Sequence, residues 1–470
     1  MNYLTLTFLA VFVAFYAGYL LLQRTSRVLM MGYVVAFSLL FAYQANGLYM
    51  LLLPAVTVVS WILTQRMRLC RGKQRKHWLW VIVAADLLPL LFFKITPGIV
   101  CSFNSIVRAN FQFLDLLVPV GLSFYTFQAI SYSVDVYRRR FSRRVSLLEY
   151  AFYLTFFPLL LAGPITRAET LIPAIQNRHR LITAHTVYGG LWLIMLGLLK
   201  KGLLADYMGT YTSWIFDDPM AYSGFEDMVG LLAFSLQIYL DFSGYSDISI
   251  GLAALMGFKL KDNFNFPYRS TNPTDFWRRW HMSLSTWFRD YVYIPLGGNR
   301  VSIKRMRLNL MLTMLAAGLW HGVSWMFLLW GTLHGVALVV HKSCLSWLKR
   351  LSTPKVTNTV SWLLFYFFLL FTWLIFRAPD HEQAIYFIQR VAGDFSYSAA
   401  IPFFEARPLL SIIIVVGYLL LFVGPSTYRL LQRMFIMSPW LLKLILMILI
   451  VQLLLNIHAD NIQPFIYEQF

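Results

Sequence analysis

What this 470-residue chain has least of is charge. Asp, Glu, Lys and Arg make up 13% of it, where soluble domains carry about 25%. Acids are the scarcer sign, with 21 against 40 bases and a net charge of +19. A soluble fold is excluded by the counterpart figure, 59% hydrophobic residues. Apolar runs of about 20 residues recur from end to end, the length a helix needs to cross hydrocarbon. The short alternating strands of a transmembrane β-barrel are missing. Cysteine is nearly missing too. Cys70, Cys101 and Cys344 lie far apart with no CxxC, which excludes a disulfide framework.

Several catalytic signatures are also lacking. Without HExxH or a tight His/Cys/Asp cluster, no metal site is expected. Without GxSxG there is no hydrolase elbow, and without GxxxxGK[ST] there is no P-loop. The surplus of bases would suggest nucleic acid in a soluble protein. Here it is packed into blocks between spans: Arg68, Arg71, Lys73, Arg75 and Lys76; Arg138, Arg139, Arg140, Arg143 and Arg144; Arg300, Lys304, Arg305 and Arg307; Lys342, Lys349 and Arg350. Such blocks mark cytoplasmic loops facing anionic headgroups. Membrane lipids are therefore the expected partners and nucleic acid is not.

The reading is an all-α, polytopic membrane protein. Spans are predicted at 4–22, 28–45, 47–65, 78–95, 148–163, 187–204, 228–256, 309–341, 359–376, 407–425 and 438–457. The run 4–22 lacks a basic stretch before it and is read as a retained helix rather than a signal peptide. The runs 228–256 and 309–341 are too long for one simple crossing and are tilted, broken or paired with a re-entrant piece. Residues 119–136 interleave Ser, Thr, Gln and Asp with aromatics, which suits a helix inside a bundle. No internal repeat is visible, which argues against a transporter built on inverted halves. No soluble domain is expected anywhere.

Two histidines stand out in the span 309–341, which holds no Asp, Glu, Lys or Arg up to Val340. An imidazole at membrane depth is costly unless it faces protein or a watery cavity. His321, in Gly318-Leu319-Trp320-His321-Gly322, can act as a general base near neutral pH. It can equally be a buried histidine bonded to a carbonyl or tyrosine. His334 is read as structural. His77, His179 and His185 are read as surface residues. The stretch 258–310 is polar but unlike a linker. Trp277, Trp280 and Trp287 and paired charges fit helices at headgroup level. That explains neither His281 inside Trp-Arg-Arg-Trp-His nor Asp241 and Asp247 at the end of an apolar helix.

Five stretches together carry a family resemblance: 119–138 (PVGLSFYTFQAISYSVDVYR), 157–167 (FPLLLAGPITR), 240–253 (LDFSGYSDISIGLA), 257–300 and 318–325 (GLWHGVSW). The closing Pro464-Phe465-Ile466-Tyr467 adds to them. In this order they resemble the membrane-bound O-acyltransferases (MBOAT), and within them the bacterial polysaccharide branch that acetylates alginate. The resemblance implies one domain over 1–470 with a motif-rich core at about 119–341, and about eleven spans around a central funnel. It implies His321 as the base that activates an accepting hydroxyl and His281 as a second site residue that orients the acceptor or binds the donor. Arg278, Arg279 and Arg289 are expected to attract an anionic donor, or else to anchor in headgroups. No tightly bound cofactor is implied; acetyl-CoA or another acyl thioester is the donor substrate. The implied partner is an extracytoplasmic SGNH-type O-acetyltransferase, and the implied place is the bacterial inner membrane. The alternatives are D-alanyl transfer from a carrier protein toward teichoic acid, and a glycan-precursor transporter or flippase.

Overall fold

The computed structural model describes residues 3–107, 118–177, 182–348 and 354–457. Every regular element among them is helical. Backbone polar groups in hydrocarbon must be satisfied within the segment, and a helix does that. Five described helices are long and apolar enough to cross a bilayer, or seven if each of two bent pairs is one span. Residues 349–353 and 458–470, with Lys349, Arg350 and the Pro464–Tyr467 ending, lie outside the described residues, as does His179. The described chain forms two compact units, 1–194 with 245–262, and 195–244 with 263–470.

The first unit begins with α1 (Leu6–Thr25), α2 (Arg27–Asn46), α3 (Leu52–Leu69) and α4 (Gly72–Val107). Ser26 ends α1 and caps α2, its hydroxyl accepting from the Leu29 amide. That uses one polar residue to satisfy a helix start at a tight corner. Then come α5 (Leu122–Tyr137) and α6 (Leu147–Thr155). Helix α5 is buried almost throughout, as its mixed polar and aromatic pattern requires. Its hydroxyls find partners: Ser133 with Thr64 at 2.8 Å, and Ser131 with the Gln128 carbonyl at 2.8 Å. Gly121 leads into α5 with φ +84, and a Cβ there would meet the Leu160 carbonyl oxygen at 2.5 Å. The predicted span 148–163 breaks after Thr155 into a single turn, Phe157–Leu160. Arg68 donates to the carbonyls of Ser142 and Arg143, and Arg75 to that of Val136. The first two basic blocks therefore meet on one face.

A helix of 34 residues follows, Ala184–Asp217, made of α7 (Ala184–Leu198), a π-turn at Leu199–Ala205, and α8 (Asp206–Asp217). The prediction 187–204 ends at Leu204, but the helix continues to Asp217, and Lys201 within it is fully buried. The 32-residue α9 (Gly224–Leu255) is unbroken. It covers the predicted span 228–256 up to Leu255, and Asp241, Ser243, Ser246 and Asp247 make it more polar than a simple crossing.

In the second unit, the predicted span 309–341 resolves into a helical hairpin of α10 (Ile303–His321) and α11 (Trp325–Leu348). Small residues let the two backbones touch. A Cβ on Gly318 would meet the Phe327 carbonyl oxygen at 2.3 Å, and one on Gly331 the Met314 carbonyl oxygen at 2.6 Å. Close backbone approach through glycine is the usual basis of helix association where lipid removes the hydrophobic drive. Next comes α12 (Pro354–Arg377). Ser235, Tyr366 and Tyr418 form a triangle of hydroxyls at 2.7, 3.1 and 2.7 Å that ties α9 and α12 to helix Pro408–Leu421.

Candidate active site

His281 lies outside the membrane-spanning segments, in the irregular stretch between α9 and α10. It caps a short helix, Met282–Phe288, with φ 39 and ψ 55. A left-handed backbone is uncommon for a residue with a side chain and costs about 1–3 kcal/mol. The turn is held by two main-chain bonds. The Met282 amide donates to the Asn263 carbonyl at 2.8 Å and the Asn265 amide to the Arg279 carbonyl at 2.9 Å. The Asn263 side chain adds three contacts through Oδ1: His281 Nδ1 at 3.1 Å, the Ser283 amide at 3.2 Å and Ser283 Oγ at 2.9 Å. His281 and Asn263 are each 1% exposed. Phe242 packs edge-on against the imidazole at 4.5 Å, with Phe264 at 6.4 Å. Burial among these rings pushes the His281 pKa down to about 3, so the ring is neutral at physiological pH.

His321 is the last residue of α10 and is also buried. Its walls are aromatic: Trp320 at 4.7 Å, Phe376 at 5.0 Å, Trp330 at 5.1 Å and Phe327 at 6.1 Å between ring centres. The Gly318 contact that closes the hairpin lies one turn before it, so backbone packing fixes where this imidazole stands. The Trp320 indole also lies 6.2 Å from the His281 ring. Residues far apart in sequence are thereby brought to one indole. An imidazole enclosed by rings, with a second one nearby, can take a proton from a hydroxyl while water is kept away.

The other sequence candidates take different places. Arg279 pairs with Asp275 at 2.9 Å and Arg289 with Asp290 at 2.8 Å. Each has its charge partly answered by its own neighbour. Arg278 is exposed and forms no ion pair among the described residues. His334 is fully buried among Phe276, Trp277, Trp330 and Phe368. His77 and His185 are exposed. Among the described residues, no group of three His, Cys, Asp or Glu side chains is placed to hold a metal ion. A pocket in the first unit, lined by Phe41, Asn46, Tyr49, Val120, Tyr125 and Leu160 among others, includes neither site histidine.

Asp241 has its explanation in Lys201. The lysine ammonium bonds Asp241 and lies 2.7 Å from Asp206, and all three are at most 2% exposed. From sequence alone Lys201 fell inside the predicted span 187–204, and neither it nor Asp206 was given a role. The signal was present in Leu199-Lys200-Lys201-Gly202, a lysine pair followed by more helix-forming sequence. Asn263 was seen only as part of a polar run. Nothing local in the sequence pairs it with a histidine on the far side of a turn.

Comparison with known proteins adds a family to this geometry. The model of the MBOAT, membrane-bound O-acyltransferase family, matches residues 136–378, a stretch that holds both histidines. The chain is 39% identical over 342 residues to the "Probable alginate O-acetylase AlgI" of Pseudomonas aeruginosa, covering 72% of this chain and 64% of that protein. It thus spans just under two thirds of that relative's length. It is 33% identical over 408 residues to the peptidoglycan O-acetyltransferase of Helicobacter pylori, covering 80% of this chain and 77% of the relative. The teichoic acid D-alanyltransferase of Bacillus subtilis is 26% identical over 367 residues, 74% of this chain and 90% of the relative.

Proposed function

We propose that this chain, which belongs to the membrane-bound O-acyltransferase family, transfers acetyl groups from a cytoplasmic thioester for O-acetylation of an extracytoplasmic polysaccharide. The acceptor is an exopolysaccharide such as alginate, or peptidoglycan. The observation that carries this reading is the pair of buried histidines flanking Trp320 within the family-matched stretch. Acetyl rather than D-alanyl transfer is favoured by identities of 39% and 33% to acetylating relatives against 26% to the D-alanyl one.

In this reading His321 is the general base. It accepts the proton of the attacking hydroxyl as the oxygen adds to the thioester carbonyl. The tetrahedral oxyanion collapses, the C–S bond breaks, and the imidazolium returns its proton to the leaving thiolate. No net proton or electron is required. The aromatic wall around His321 keeps water from competing with the acceptor. His281 steadies the acceptor or the donor. Arg278, exposed on the same turn, draws an anionic donor such as acetyl-CoA toward the site, as positive fields do for charged ligands. The catalytic work lies within about residues 119–341 of a single functional domain. The protein sits in the bacterial cytoplasmic membrane and passes acetyl to an extracytoplasmic SGNH-type transferase. No resident cofactor is needed for these steps.

The test is the ester-linked acyl content of the surface glycans with and without the gene, released by mild alkali and identified. Loss of acetate on deletion, with no restoration by His321→Ala at normal membrane levels, is the expected result. Loss of D-alanine would move the assignment to the teichoic acid branch. Unchanged esters with a missing glycan would favour a flippase.

A further inference from the structure

The contacts of Asn263 determine which nitrogen of His281 carries its proton. The Ser283 amide lies 3.2 Å from the Asn263 side-chain oxygen. A backbone N–H only donates, so the atom facing it must be the amide oxygen and not the amide nitrogen. The Ser283 hydroxyl at 2.9 Å is satisfied the same way. That oxygen is also 3.1 Å from His281 Nδ1. An amide oxygen cannot donate, so Nδ1 must carry the hydrogen. In a neutral imidazole the lone pair then belongs to Nε2.

We infer that Asn263 is a positioning residue that locks His281 in the Nδ1–H tautomer, so that Nε2 meets the reacting groups as a hydrogen-bond acceptor. This rests on the reading of His281 as a site residue. It deepens that reading by choosing between roles. An Nε2 with a lone pair cannot stabilise an oxyanion. It accepts from an O–H or N–H: the hydroxyl of the acceptor, or an amide N–H of a pantetheine arm. The left-handed backbone at His281 is part of the same device. The Asn263 carbonyl holds the next amide, Met282, while its side chain holds the ring, so one residue fixes both the bend and the imidazole. Among the groups facing His281 are the rings of Phe242, Phe264 and Trp320, with Asn263 and Ser283 at the Nδ1 edge. Charged or titratable groups on these and adjoining segments include Asp241 with Lys201 and Asp206, Asp247, Asp262 with Lys259, Lys261, Arg278, Arg279 with Asp275, Arg289 with Asp290, and His321. All of them are common to the wild type and the variants below.

The test measures thiol release from acetyl-CoA by membranes carrying the full chain, as a function of donor concentration and pH. Asn263→Ala should lower kcat about 10- to 100-fold with little change in KM, since the ring loses its orientation but not its place. Combined with His281→Ala, it should cost no more than His281→Ala alone. Asn263→Asp keeps an oxygen acceptor for Ser283 and His281, so the turn and the protein level should survive. Its carboxylate favours imidazolium, which should move the acid limb of the rate–pH profile up by about one unit or more. Full kcat in Asn263→Ala, additive losses in the double variant, or an unmoved pH profile in Asn263→Asp would each overturn the inference. If Asn263→Ala fails to accumulate, the Asp variant decides alone. An active His281→Ala would instead remove the reading on which the inference rests.

Discussion

The two histidines are held by opposite means. His321 ends a regular helix whose position is set by glycines packed against the next helix, and its neighbours are rings. His281 sits in an irregular turn with a strained backbone, and its Nδ1 is held by a named hydrogen bond. Packing places the first, and polar contacts orient the second. The difference teaches that a site in a membrane protein can be fixed by close-packed backbone on one side and by a hydrogen-bonded loop on the other. Each half should then fail in its own way.

The largest expected effect is His321→Ala. Loss of a general base should lower glycan acetylation about 100- to 10,000-fold with normal amounts of protein in the membrane. Acetylation at the wild-type level would end the distinction between the two rings. Gly318→Val tests the packing half. Its side chain would run into the Phe327 carbonyl oxygen, 2.3 Å from a Cβ. Overpacking of this kind costs about 1–3 kcal/mol or more, so the hairpin should open and the amount of folded protein drop, as measured by fluorescence-detected size exclusion. A normal yield would show that the helices do not need this contact. His281→Ala should be milder than His321→Ala, a loss of about 10- to 100-fold in acetylation, because a binding or orienting group is removed rather than the base. Equal losses for both alanine variants would erase the proposed division of labour.

The smallest effect is on stability. Burial lowers the pKa of His281 in the fold to about 3 from its ordinary value of 6.5. As pH falls below about 6.5 the unfolded chain takes up a proton that the native ring refuses, so stability falls. Above that pH both forms are neutral and the term vanishes. Between pH 7 and pH 5 the wild type should lose roughly 1–2 kcal/mol that His281→Asn does not. Melting curves in detergent at the two pH values measure this difference, and equal pH sensitivity in both proteins would mean that the ring is not held neutral by burial.

The all-α membrane class was legible because the bilayer dictates helices of a fixed minimum length, and composition reveals them. His321 was legible because a polar ring in an apolar run stands out. The hairpin was left open in the sequence: Gly318 and Gly331 acquire their meaning only when two backbones meet. Lys201 was left without a role because its partner Asp241 lies on the next helix. The role of Asn263 was hidden for the same reason, since a side chain that works across a turn leaves no periodic trace.

The Lys201–Asp206–Asp241 cluster has a consequence for how the protein enters the membrane. Lys201 and Asp241 belong to successive helices, Ala184–Asp217 and Gly224–Leu255. Lys201 already meets Asp206 on its own helix, but the later helix released alone into lipid would carry Asp241 without its cation, at about 2.5–3.5 kcal/mol for an ionised group at a helix centre on the insertion scale. Released as a pair, the charges meet and that cost falls. The later helix therefore gains from entering lipid beside the earlier one, whose lysine is already in place to meet Asp241.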